Sequence, residues 1–138
     1  MSAVLDTHAL IWFLNADPKL GAEAVAAIEA AATGDGAVVS AITPWEISML
    51  VAKGRLALPY DAREWLTRNL ERPGFVLHPL SIAVASGSNT LPPGFHGDPA
   101  DRIIMATSRH LGLPLVTADR RILEYAGAGH LRVIDAAR

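Results

Sequence analysis

Carboxylates dominate the residues that could do chemistry in this chain. Asp6, Glu46, Asp101 and Asp119 are far apart in sequence, yet each stands beside a predicted junction between strand and helix. Asp6 ends the run Ala3-Val4-Leu5, with Thr7 and a helix-like pattern directly after it. Glu46 follows a second apolar run. Asp101 lies in the first turn of the helix that feeds Leu115-Val116-Thr117, and Asp119 lies just past that strand. In a parallel sheet these junctions share one edge, and ligands bind in the crevice outside the carboxyl ends of the strands. Carboxylates gathered there repel and raise one another's pKa unless a cation neutralises them. Oxygen-only ligands suit Mg²⁺ or Mn²⁺, and no His or Cys cluster has zinc spacing. A hard divalent ion so held can activate a water and neutralise a phosphodiester, which is metal-assisted hydrolysis.

Each acid also has a local explanation. Thr43-x-x-Glu46, with Pro44 at the first helical position, reads as a capping box. Asp98-Pro99-x-Asp101 places an Asp cap and a second acid at the positive end of a helix, so Asp98 reads mainly as a cap that also assists a metal. Asp119 suits an N-cap. Asp6 fits a local role worst, because a carboxylate ending a buried strand is costly unless paired or coordinated. His8 and His96 lie near the acids and have the chemistry for acid–base work, or else pack or face solvent. Arg102, Arg120 and Arg121 suit RNA phosphates or helix-surface solvation equally. Trp12, Trp45, Met49 and Trp65 read first as core contacts. The alternatives are an apolar groove for a partner helix and, for Trp45, a stacked base.

The elements that must position these residues alternate. Strands are predicted at 2–6, 37–42, 75–78, 113–117 and 131–134, and helices at 8–15, 20–32, 43–53, 60–70, 82–86, 98–110 and 119–125. Nearly continuous apolar strands with short connections predict an α/β fold, a mostly parallel sheet of about four to five strands covered on both faces. The length of 138 residues suits one domain, 1–138. With 51% apolar and 19% charged residues the composition is that of a compact soluble protein. The absence of cysteine excludes disulfides and thiolate chemistry and accords with a cytoplasmic location. No apolar run is long enough to span a bilayer, and no export signal is evident. A net charge of −2 lacks the basic footprint usual for nucleic-acid binding, so if nucleic acid is the substrate, local charge or bound metal must supply the attraction.

The motifs Val4-Leu5-Asp6-Thr7, Pro44-Trp45-Glu46-Ile47, Asp98-Pro99-Ala100-Asp101-Arg102-Ile103-Ile104-Met105-Ala106 and Leu115-Val116-Thr117-Ala118-Asp119 resemble the PIN-domain ribonucleases, above all the VapC-type toxins of toxin–antitoxin pairs. The likeness spans essentially the whole chain in the family's order. It implies a three-layer sandwich and a Mg²⁺- or Mn²⁺-dependent endoribonuclease. It also implies a homodimer and a small VapB-like antitoxin that blocks the site. By this resemblance Asp6, Glu46 and Asp101 would be the core metal-binding acids and Asp119 the fourth, while Thr7 and Thr117 would orient a carboxylate or a water. His96-x-Asp98-Pro99-x-Asp101 resembles one subgroup, with Asp101 favoured as the ligand. Competing functions are a non-catalytic scaffold that binds RNA or protein, and a structure-specific DNA nuclease. An aspartyl phosphatase needs a second Asp where His8 stands, and a receiver-like domain needs an acid pair that is absent.

Overall fold

A computed structural model describes all 138 residues. Five strands, β1 (Ser2–Leu5), β2 (Gly36–Ser40), β3 (Phe75–His78), β4 (Leu115–Thr117) and β5 (Val133–Asp135), form one sheet in the order β3-β2-β1-β4-β5. Every pairing is parallel. Seven helices make the connections: α1 (Thr7–Leu14), α2 (Ala22–Thr33), α3 (Ile42–Ala52), α4 (Ala62–Leu70), α5 (Ile82–Gly87), α6 (Pro99–Leu111) and α7 (Arg120–Ala126). The mostly parallel α/β sheet expected from the sequence is thus wholly parallel.

Strand periodicity divides the core in two, because successive side chains point to opposite faces. Ala3, Leu5, Ala37, Val39 and Val116 pack on one face with Leu10, Ile28, Ile47 and Trp65 from α1 to α4. Val4, Val38 and Leu115 pack on the other with Ile104, Met105, Ile122 and Tyr125 from α6 and α7. Covering both faces is why β1 and β2 read as continuous apolar runs and not as alternating ones. Truncating a buried anchor such as Leu5 or Ile104 to alanine would cost about 2–5 kcal/mol.

Topology decides where the chemistry lies. The chain runs outward from β1 to β2 and β3, then crosses back to β4 and β5. Strand order therefore reverses beside β1, and β1 delivers Asp6 at that switch point. The helices run back against the strands, so α1, α3, α6 and α7 all begin at the carboxyl edge. Local sequence fixes those starts. Asp6 accepts the Ala9 amide at 2.8 Å, Asp98 the Asp101 amide at 2.9 Å with Pro99 next, and Asp119 the Arg121 amide at 2.9 Å. Gly112 ends α6 with φ +66°, where a side chain would be strained.

The start of α3 differs from the sequence expectation. The helix begins at Ile42, whose amide donates to Ser40 Oγ at 3.2 Å, and Ala41 occupies the cap position. Thr43 is therefore inside the helix, and the capping box of Thr43 and Glu46 does not form. Both side chains turn instead to Thr7.

Candidate active site

One cleft of about 310 Å³ at the carboxyl edge is lined by Asp6, Glu46, Asp98, Asp101 and Asp119. Thr7, His8, Trp12, Ala118 and Arg121 complete its wall. The acids thus share one address, as expected. Thr117 is buried behind them, where its hydroxyl accepts the Asp119 amide at 3.1 Å. His8 reaches the cleft, whereas His96 lines a separate cavity beside Tyr125.

Capping and a cleft-facing role prove compatible in the same residue. Asp98 commits one carboxylate oxygen to the start of α6 and leaves the other without a hydrogen bond. Glu46 commits Oε1 to the Thr7 hydroxyl at 2.6 Å and leaves Oε2 without one. Thr7 Oγ1 also lies 3.2 Å from Thr43 Oγ1, so a buried pair of hydroxyls fixes the Glu46 carboxylate across the gap between α1 and α3.

The electrostatics are those of crowded, desolvated acids. Burial pushes the Asp6 carboxyl, 7% exposed, above the usual range; Thr117, the Ala9 amide and His8 oppose the rise and Glu46 adds to it. Burial, then Asp98, Asp119 and Glu46, push Asp101 up to about 7, against the pull of Arg121. Asp119 moves the other way. Burial resists its ionisation, but hydrogen bonds from Arg121 outweigh that and hold its pKa low. The Arg121 guanidinium bridges the two acids, with Nη2 at 3.1 Å from Asp119 Oδ2 and 3.3 Å from Asp101 Oδ2.

These donors fit a hard divalent cation. They are carboxylate and hydroxyl oxygens, and Asp6 and Asp101 bear raised pKa values that a cation would bring down. The side chains as they stand do not yet surround one point, for no three acidic or histidine side chains are grouped tightly enough to hold an ion. Caps occupy Asp6, Asp98 and Asp119, and Arg121 takes up Asp101 and Asp119. RNA contact and helix solvation suit Arg121 equally in sequence, and its place in the cleft comes from the side-chain geometry alone.

Other expectations change. Arg102 is neither a free surface cation nor turned to the cleft: Nε donates to the Ser88 carbonyl at 2.9 Å and Nη1 to that of Phe95 at 3.0 Å, pinning the loop ahead of Asp98. Trp65 is a core residue at 3% exposure, but Trp45 is 58% exposed and is no core contact. Both Trp45 and Met49 line an apolar cavity beside the acids.

Comparison with known proteins agrees with this architecture. The PIN domain matches residues 3–128. The chain is 36% identical to the Ribonuclease VapC22 of Mycobacterium tuberculosis over 121 residues, covering 88% of this chain and 89% of that one. The fold is shared with VapBC2 from Rickettsia felis, solved with a DNA fragment from its promoter, at TM-score 0.70, 16% identity and 98% coverage of each chain. It is shared too with FitAcB from Neisseria gonorrhoeae, at TM-score 0.66, 24% identity, and 99% and 98% coverage. The chain therefore belongs to the PIN-domain family and is a relative of the VapC ribonucleases.

Proposed function

We propose that residues 1–138 act as one PIN-like nuclease unit, a Mg²⁺- or Mn²⁺-dependent endoribonuclease that serves as the toxin of a type II toxin–antitoxin pair. The observation that carries this reading is the convergence of five carboxylates on a cleft where two of them have raised pKa values. The identity to a ribonuclease over most of both chains supports RNA as the substrate, and the likeness to solved toxin–antitoxin complexes supports a VapB-like antitoxin as partner.

Asp6, Glu46 and Asp101 would hold the ion, with Asp119 as the fourth acid and Asp98 assisting. When bound, the ion neutralises charge developing on the phosphodiester and lowers the pKa of a water. The protein's own residues set the stage. Thr7 donates to Glu46 and holds it in one rotamer across the cleft. Thr117 accepts the Asp119 amide and fixes the start of α7. Arg121 keeps Asp101 and Asp119 paired, and is the nearest cation to meet an RNA phosphate once those acids have another partner.

A homodimer is part of the same proposal. Val76, Leu77, Leu80 and Ile82 are exposed at the β3 edge and the start of α5, Ile82 at 90%, and edge strands with such apolar surface call for a cover. No helix is long and apolar enough to cross a membrane. We place the protein in the cytoplasm, where its RNA substrate and antitoxin would be.

The test is the chemistry of the cut ends. Hydrolysis by water leaves a 5′ phosphate and a 3′ hydroxyl on purified RNA. A 2′,3′-cyclic phosphate would mean that the ribose hydroxyl attacked, and would refute the mechanism.

A further inference from the structure

Trp45 sits in the first turn of α3, directly before Glu46, and 58% of it is exposed. An aromatic of that size left in water at the rim of a catalytic cleft is an unfilled contact. Ile42, Met49 and Pro99 join it around an apolar cavity of about 350 Å³. This cavity adjoins the acidic cleft, since Glu46 and Asp98 line both. Whatever fills the cavity is therefore next to whatever the acids hold.

We propose that this cavity is a nucleobase subsite, in which Trp45 stacks the unpaired base of a nucleotide flanking the scissile phosphate. The proposal rests on the nuclease reading above and adds to it a residue, Trp45, that contacts one base beside the cut. Single-stranded RNA offers splayed bases whose flat faces stack on aromatic side chains, while bases inside a duplex are unavailable. A helix seated in a groove requires a row of anchor pockets at successive turns. One half-open pocket beside a phosphate site suits a single planar group instead. Stacking tolerates every base, so Trp45 selects for an unpaired nucleotide more than for sequence.

Abasic substitutions test this. Single abasic nucleotides are placed one at a time across a mapped cut in a short single-stranded RNA. One flanking position should lower kcat/KM by roughly 10- to 100-fold. Trp45→Ala should lose the same factor on intact RNA and lose nothing more on that abasic RNA. Trp45→Phe should keep most activity, and Trp45→Leu, apolar but not planar, should behave like alanine. Unchanged cleavage by Trp45→Ala, or losses that multiply at every abasic position, would overturn the subsite. So would unchanged cleavage with weakened antitoxin binding, which would make the cavity a protein-docking pocket. Binding of the same labelled RNAs to Asp6→Asn, followed by fluorescence anisotropy, reads the subsite without turnover. Should the wild-type chain cut no RNA, the nuclease reading fails. Binding by Asp6→Asn that depends on both Trp45 and the base would still uphold the subsite, and binding indifferent to either would sink it.

Discussion

Replacing Asp101 by asparagine should stabilise the protein more at pH 8 than at pH 5 when metal is removed. Burial, with Asp98, Asp119 and Glu46 close by, raises this carboxyl from 3.8 to about 7. Between those values the folded state keeps a proton that the unfolded chain has released. Stability is therefore highest below about pH 4 and falls as pH rises through about 7. About two pH units of that separation lie above pH 5, which sets a ceiling of about 2.7 kcal/mol on the change from pH 5 to pH 8. The Asp101 side chain is 17% exposed and Arg121 is beside it, so screening reduces the effect to about 1–2 kcal/mol. Asparagine has nearly the same volume and does not titrate. Its advantage over the wild type should grow by that amount from pH 5 to pH 8, about 3–8 °C in melting temperature for a chain of this size. Thermal unfolding in EDTA at the two pH values reads it directly. A difference that is the same at both, or that favours aspartate at pH 8, would refute the electrostatic account. Adding Mn²⁺ at pH 8 should then stabilise the wild type, by about 2.7 kcal/mol at a hundredfold excess over Kd, and Asp101→Asn much less.

Thr7→Val should cost about 1–3 kcal/mol in denaturant unfolding, because it strips a buried hydroxyl from Thr43 and Glu46, and kcat should fall as Glu46 loses its orientation. Arg121→Gln removes the cation that bridges Asp101 and Asp119, so Mn²⁺ should bind more tightly by calorimetry; weaker binding would show that the arginine supports the ion. Ile82→Lys should shift the protein to monomer in analytical ultracentrifugation without unfolding it. An unchanged mass distribution would remove the β3 edge from the dimer interface.

How much of this was legible in the sequence varies with how local the cause is. The strands were, because β1 and β2 are short runs, apolar on both faces, each followed directly by a helix start. The caps at Asp98 and Asp119 were too, since their hydrogen bonds reach only two or three residues ahead. The start of α3 misled for a physical reason. Ser40 and Ala41 took the cap, and Thr43 and Glu46 were then free to bond Thr7, a partner visible only once the sheet has folded. The exposure of Trp45 was hidden because α3 is apolar nearly all round, so periodicity could not say which face meets water. Arg121 and Arg120 look alike in sequence, yet Arg121 alone reaches both acids.

The central claim is that Asp6 and its neighbouring acids form one metal-dependent site that cuts RNA. Cleavage of a mixed structured RNA by the purified, antitoxin-free chain, in Mg²⁺, in Mn²⁺ and in EDTA beside Asp6→Asn, tests it most directly. Asparagine preserves the cap on α1, so the variant should fold. The account predicts cutting in either metal, none in EDTA and none by Asp6→Asn. Cleavage that persists in EDTA, or in Asp6→Asn at the wild-type rate, would contradict it.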